Sequence, residues 1–270
     1  MTTALLLLAG GVAAGTFGAI LGVGGGILIV PLLVIGFHLS LTAAIGTSLV
    51  CVVVTSLTAA ALNVRAGRAD IRLGIVLELA TVVGATLGGL SASLIPDRIL
   101  AAAFAGLMVY TALSMVLGTG DDESPLVGES PVDPAAPDGL SAPRYRSHHL
   151  PLTLVGSLGA GVSSSLLGIG GGVVKVPLLR LLMGAPLHVA TATSNYMVGV
   201  TASAGAYAYL LRGDVDAAVA GPMVLGVAVG AALGARIGPA LRARWLALLF
   251  AVVAAYVAVQ MGLRAAGIGT

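Results

Sequence analysis

The chain has 270 residues, 58% of them hydrophobic and only 9% charged, with a mean hydropathy of +1.07. A soluble domain carries roughly a quarter charged residues, so a water-soluble enzyme is excluded. With 39 glycines against 4% aromatic residues, a transmembrane β-barrel is excluded too, because barrels rely on aromatic girdles and alternating strands. What remains is an all-α polytopic membrane protein, in which glycine lets helices approach closely. The net charge of +2 comes without a basic run, so no nucleic-acid partner is expected. The lone Cys51 offers neither an internal disulfide nor a thiolate metal site, and neither a metal nor a cofactor is expected.

In chain order, Met1–Ala14 is apolar but lacks the positive start of a signal peptide, and reads as the first membrane segment. Apolar runs of spanning length follow at about Thr3–Phe37, Leu41–Asn63, Ile71–Ile95 and Ile99–Gly118. Next comes Thr119–His149, which holds Asp121, Asp122, Glu123, Glu129, Asp133 and Asp138 among five prolines. This composition predicts a solvated linker. A second set of runs covers about Leu150–Met183, His188–Leu211, Ala217–Ile237 and Trp245–Ala265. The chain thus divides into a membrane repeat over 1–118, a linker over 119–149 and a second membrane repeat over 150–270.

The two sets are a duplication. A shift of 146 positions pairs Gly22-Val23-Gly24-Gly25-Gly26 with Gly168-Ile169-Gly170-Gly171-Gly172, Val30-Pro31-Leu32-Leu33 with Val176-Pro177-Leu178-Leu179, and Thr47-Ser48 with Thr193-Ser194. Over positions 15–118 it gives 35 identities without a gap, including glycines and prolines that an Ala/Leu/Val bias would not align. Internal symmetry of this kind marks many transporter folds.

The first run of each repeat is too long for one span: Thr3–Phe37 would make about 50 Å of helix against a hydrocarbon core of about 30 Å. Its glycine cluster permits either a tilted, broken span or a hairpin that returns to its own side. Arginines collect in cytoplasmic loops. With hairpins and inverted repeats, Arg65, Arg68, Arg72, Arg144, Arg146, Arg180, Arg236, Arg242 and Arg244 share one face, leaving Arg98, Arg212 and Arg264 on the other, nine against three. Parallel repeats split them seven against five. The expectation is therefore two inverted repeats, each a glycine-broken hairpin plus three transmembrane helices, with both termini outside and the linker cytoplasmic.

A helix broken inside a membrane exposes N–H groups, tolerated where they line a cavity or meet a ligand. The legs led by Gly24, Gly25 and Gly26, and by Gly170, Gly171 and Gly172, would aim two positive helix N-termini at the centre, a site suited to an anion. The bland alternative is close packing, the role assigned to Gly84/Gly88 and Gly230/Gly234. Lys175 is the sole lysine and lies in the second short leg; a charge there faces a pathway or a partner. It is read as anion-facing, the alternatives being snorkelling or a structural pair with Glu78, which is itself a candidate for proton or ion coupling. Thr47, Ser48, Thr193, Ser194 and Asn195 could donate hydrogen bonds to an anion, or bond back to their own helical turns. Tyr196 is a candidate gate.

At these residues the chain resembles the sulfite exporter TauE/SafE family, also called the toluene sulfonate uptake permease family. The resemblance rests on Gly22-Val23-Gly24-Gly25-Gly26 followed by Pro31-Leu32, on the matching second-half motif, and on Leu187–Met197, and it covers nearly all of the chain outside the linker. The linker is longer and more charged than that family's pattern. The resemblance implies a multi-pass inner-membrane transporter of sulfite, sulfonates or related organic anions. The expected function is alternating-access transport of a small anion, with the lipid bilayer as surroundings and room for a homo-oligomer. An anion channel or a non-transporting sensor or scaffold is the alternative. The shortage of acids, histidines and cysteine within the spans argues against an enzyme.

Overall fold

The computed structural model describes residues 2–21, 24–65, 71–117, 150–183, 187–237 and 243–267. Gly22, Val23 and the whole acidic segment 119–149 lie outside them. Apolar sequence with no water to bond its backbone must close its hydrogen bonds within each segment, and the described residues are accordingly helical. The first half holds α1 (Thr2–Leu21), α2 (Gly26–Pro31), α3 (Leu41–Arg65), α4 (Ile71–Ser91) and α5 (Asp97–Leu117). The second holds α6 (Leu150–Leu167), α7 (Gly172–Met183), α8 (Leu187–Arg212), α9 (Ala217–Ile237) and α10 (Ala243–Ala265). Each element of the first half matches one of the second under the 146-residue shift. Thr2–Ile20, Leu41–Ala61, Leu73–Leu94 and Ala217–Ile237 are long and apolar enough to cross a membrane.

The first run of each half is a hairpin. A Cβ at Gly10 would meet Leu32, and one at Gly18 would meet Gly25, so α2 runs back along α1. The second half repeats this, with Gly156 against Leu178 and Gly171 against Ala160 and Ser164. One detail departs from the repeat. Beyond Pro31 the first leg continues as a π-helix, Leu32–Gly36, whereas the second stays α-helical past Pro177.

The halves interlock through small residues. A Cβ at Gly230 would lie 2.1 Å from the Val12 carbonyl oxygen and one at Gly234 2.4 Å from that of Thr16, so α1 lies directly on α9. The related pair is α4 on α6, where Gly84 meets Leu158 at 2.1 Å and Gly88 meets Val162. Both glycine pairs therefore serve packing, as their spacing predicts. In the centre α3 crosses α8: Gly46 meets Tyr209, Gly205 meets Leu49, and Gly199 meets Ser56, so these equivalent helices run antiparallel. At one end of the molecule Arg212, closing α8, donates to the Gly89 carbonyl near the end of α4 (2.7 Å) and to Asp214 (2.8 Å), and stacks over Tyr209. Gly267, just past α10, approaches Arg98 at the start of α5. Leu79, Leu94, Val155 and Val252 project outward and exposed, as side chains facing lipid do.

Candidate functional site

The two breaks depend on backbone conformations that favour glycine. Gly24 and Gly25 have φ of 77° and 81°, and Gly168, Gly170 and Gly171 have φ of 71° to 78°, the left-handed region in which a Cβ is strained. Gly25 then accepts from the N–H groups of Leu28 (3.0 Å) and Ile29 (3.2 Å), and Gly171 from those of Val174 (3.1 Å) and Lys175 (2.9 Å). Helix geometry leaves the N–H groups ahead of these, on Gly26 and Ile27 and on Gly172 and Val173, without intrahelical acceptors.

The breaks meet at the centre of the molecule. A Cβ at Gly24 would lie 2.9 Å from both Val52 and Val198, and one at Gly170 2.6 Å from both. Val52 and Val198 are equivalent residues near the middles of α3 and α8, so the pseudo-symmetry centre lies between them. A Cβ at Gly26 would also lie 2.3 Å from the Gly168 carbonyl oxygen, so the two turns close on each other. Ser48 fixes this contact by donating to the same carbonyl at 2.7 Å.

Of the other predicted polar residues, Thr47, Thr193, Ser194 and Asn195 are all buried. The Thr47 and Ser194 hydroxyls and the Asn195 Oδ1 have no hydrogen-bond partner among the described residues. Buried polar atoms normally find one. Tyr196 lies elsewhere, half-buried against Gly74 of α4 and the apolar cluster of Leu77 and Leu179.

Lys175 and Glu78 are brought together. Both are buried, 1% and 5% exposed, and Lys175 Nζ donates to Glu78 Oε2 at 3.1 Å. Of the three readings of Lys175, the pair with Glu78 is the contact present. Thr81 Oγ1 donates to the same carboxylate oxygen at 2.9 Å. Thr201 bridges the ions, accepting from Lys175 and donating to Glu78 Oε1. The described residues account for two of the three ammonium protons. The cluster sits one turn from the second break, because Lys175 closes the first bond of α7 and Thr201 follows Val198 by three residues. The sequence reading missed Thr201 and Thr81. Thr201 carried a signal, since it matches Thr55 under the repeat shift, whereas Thr81 carried none.

A cavity of about 380 Å³ lies between α1, α2 and α10, lined by Phe17, Leu28, Pro31, Leu32, Val253 and Tyr256 among others. It offers no charged group to an anion.

The profile of the family described as sulfite exporter TauE/SafE matches residues 7–261. Among curated proteins, a probable membrane transporter protein of Bacillus subtilis, YunE, is 27% identical over 222 residues, covering 78% of this chain and 80% of that one. A probable membrane transporter protein of Haemophilus influenzae is 26% identical over 219 residues, covering 78% and 75%. No solved structure matches.

Proposed function

The chain belongs to the sulfite exporter TauE/SafE family and is a membrane transporter of that type; from this premise we propose that it moves a small sulfur-containing anion, sulfite or an organosulfonate, across the inner membrane by alternating access. The observation that carries the reading is the pair of matched glycine turns on either side of Val52 and Val198. Each opens a short helix whose leading N–H groups and positive end suit an anion. Gly24, Gly25, Gly26, Gly170, Gly171 and Gly172 keep Cβ atoms out of the site. Thr47, Thr193, Ser194 and Asn195 complete its hydrogen bonds, and Ser48 holds the turns together. Lys175 supplies the positive charge and Glu78 the coupling, while Tyr196 moves with α8 against α4.

Inverted repeats fit this mechanism, because exchange of conformation between two equivalent halves turns an inward-open site into an outward-open one. Their support is the antiparallel crossing of α3 and α8 and the end-to-end contacts Arg212–Gly89 and Arg98–Gly267. Parallel repeats would put the partners of each contact on opposite sides of the membrane.

The test is anion binding to the purified protein by calorimetry, with sulfite, ethanesulfonate, sulfoacetate, taurine, sulfate and acetate. Sulfur oxyanions should bind and acetate should not. Gly171→Val, which forces a side chain into a left-handed turn beside Ser164, should abolish binding. Retained affinity in a folded Gly171→Val protein, or no binding of any anion to the wild type, would sink the reading. In liposomes, saturable flux with counterflow of labelled sulfite separates a transporter from a channel.

A further inference from the structure

The Lys175–Glu78 pair has an internal control in the other half of the molecule. Under the 146-residue shift Lys175 corresponds to Ile29, Glu78 to Val224, Thr81 to Val227 and Thr201 to Thr55. Ile29 and Val227 are fully buried, Val224 is partly buried, and the Thr55 hydroxyl donates back to the Cys51 carbonyl at 2.9 Å. The same fold is thus built at the equivalent place from aliphatic side chains and one self-satisfied threonine. The architecture does not need charges there, and a buried ion pair costs desolvation that packed apolar residues avoid.

The pair is also the kind of arrangement an anion can enter. Lys175 donates to a carboxylate oxygen and a hydroxyl oxygen, and the oxygens of a sulfonate or sulfite are acceptors of the same kind. An anion arriving at Lys175 replaces Glu78 as its counter-ion. Among the described residues Glu78 then keeps the Thr81 and Thr201 hydroxyls, and a buried carboxylate without a counter-ion is unstable. One proton from the water on the open side converts it to the neutral acid, whose O–H can donate to either threonine. Two hydroxyls and one carboxyl are too few oxygens to dehydrate a metal cation, which leaves the proton.

We propose that Glu78 is a displaceable internal counter-ion: the transported anion takes its place on Lys175, Glu78 takes up a proton, and each anion crosses with one proton. This deepens the proposed function and rests on it. Among the described side chains Lys175 on α7 is the charged group that meets Glu78. No acid or base lies on α6, and on α8 Arg212 is engaged far along at Gly89 and Asp214 while Tyr196 packs on Gly74. The side chains of Arg72, Arg180 and His188 are not among those described.

The experiment uses purified full-length protein and ethanesulfonate, a monoanion at every pH tested, with sulfite run in parallel. Between pH 6 and 8 wild-type affinity for ethanesulfonate should fall about tenfold per pH unit, the slope for one proton taken up. Binding should raise a protonated-carboxyl C=O band in the infrared difference spectrum. In Glu78→Gln the affinity should become independent of pH and the band should vanish, while binding persists. If Glu78→Gln does not fold, Lys175→Ile/Glu78→Val, which carries the first half's residues, should fold and bind no ethanesulfonate. Wild-type binding without pH dependence, a slope unchanged in Glu78→Gln, or binding retained in the double variant overturns the proposal. Failure of every anion to bind the wild type removes the transport reading itself, and is thereby told apart from failure of the coupling alone.

Discussion

At the scale of single residues, the ion pair and the break-closing serine lead to opposite mutational behaviour. Lys175→Met alone strands the Glu78 carboxylate among α4, α7 and α8 with only hydroxyl partners, and should cost about 3–5 kcal/mol in unfolding. Lys175→Ile with Glu78→Val removes both charges and should return stability to within about 1–2 kcal/mol of wild type or above it. Thermal unfolding of the three proteins in one detergent measures this, and a double variant as unstable as the single would contradict it. Ser48→Ala leaves the Gly168 carbonyl without its 2.7 Å donor and should cost about 1–3 kcal/mol, with weakened anion binding because the two turns lose their tie. The sequence made Lys175 and Glu78 conspicuous, since charges are rare in apolar runs. It offered their pairing as one alternative but could not select it, because they lie 97 residues apart in different halves, and no spacing rule reaches across the linker.

At the scale of elements, glycine content divides into two populations with different tolerance. Gly230 on α9 faces the α1 backbone at 2.1 Å from a would-be Cβ, whereas nothing lies within 4 Å of Gly106 on α5. Gly230→Ala should therefore separate α1 from α9 and cost about 1–3 kcal/mol. Gly106→Ala should be neutral or stabilising by about 0.5–1 kcal/mol through helix propensity. Equal losses of thermal stability in the two variants would mean that backbone proximity is not what selects glycine at α1–α9. This division was legible in part. The spacing of Gly230 and Gly234 announced a packing stripe, and the excess length of Thr3–Phe37 announced a break. The hairpin followed from arginine positions rather than from local propensity, which fits a broken span equally well. The π-helix after Pro31 was not legible, because Pro177 sits in an equivalent local sequence and keeps its helix α.

At the scale of the whole molecule, the contacts joining the ends of helices make a statement about sidedness that charge counting alone leaves weak. Arg212 closes α8 and bonds the Gly89 carbonyl near the end of α4. Arg98 opens α5 beside Gly267, just beyond α10, and Thr42 at the start of α3 bonds Asp97 of α5. These five places share one end of the molecule. They include the three arginines, through Gly267 beside Arg264, that the inverted arrangement assigns to the outside; the same arrangement assigns the linker and the remaining nine arginines to the cytoplasmic side. The turn after Arg212 and the acidic linker should therefore lie across the membrane from each other. Parallel repeats would place them together. In a Cys51→Ala background, which removes the only native thiol, Ala217→Cys reports the first location and Ser130→Cys the second. A membrane-impermeant maleimide added to intact cells should label Ala217→Cys and spare Ser130→Cys until the membrane is permeabilised. Labelling of both from the same side would overturn the inverted arrangement and, with it, the symmetric exchange of conformations on which the proposed alternating access rests.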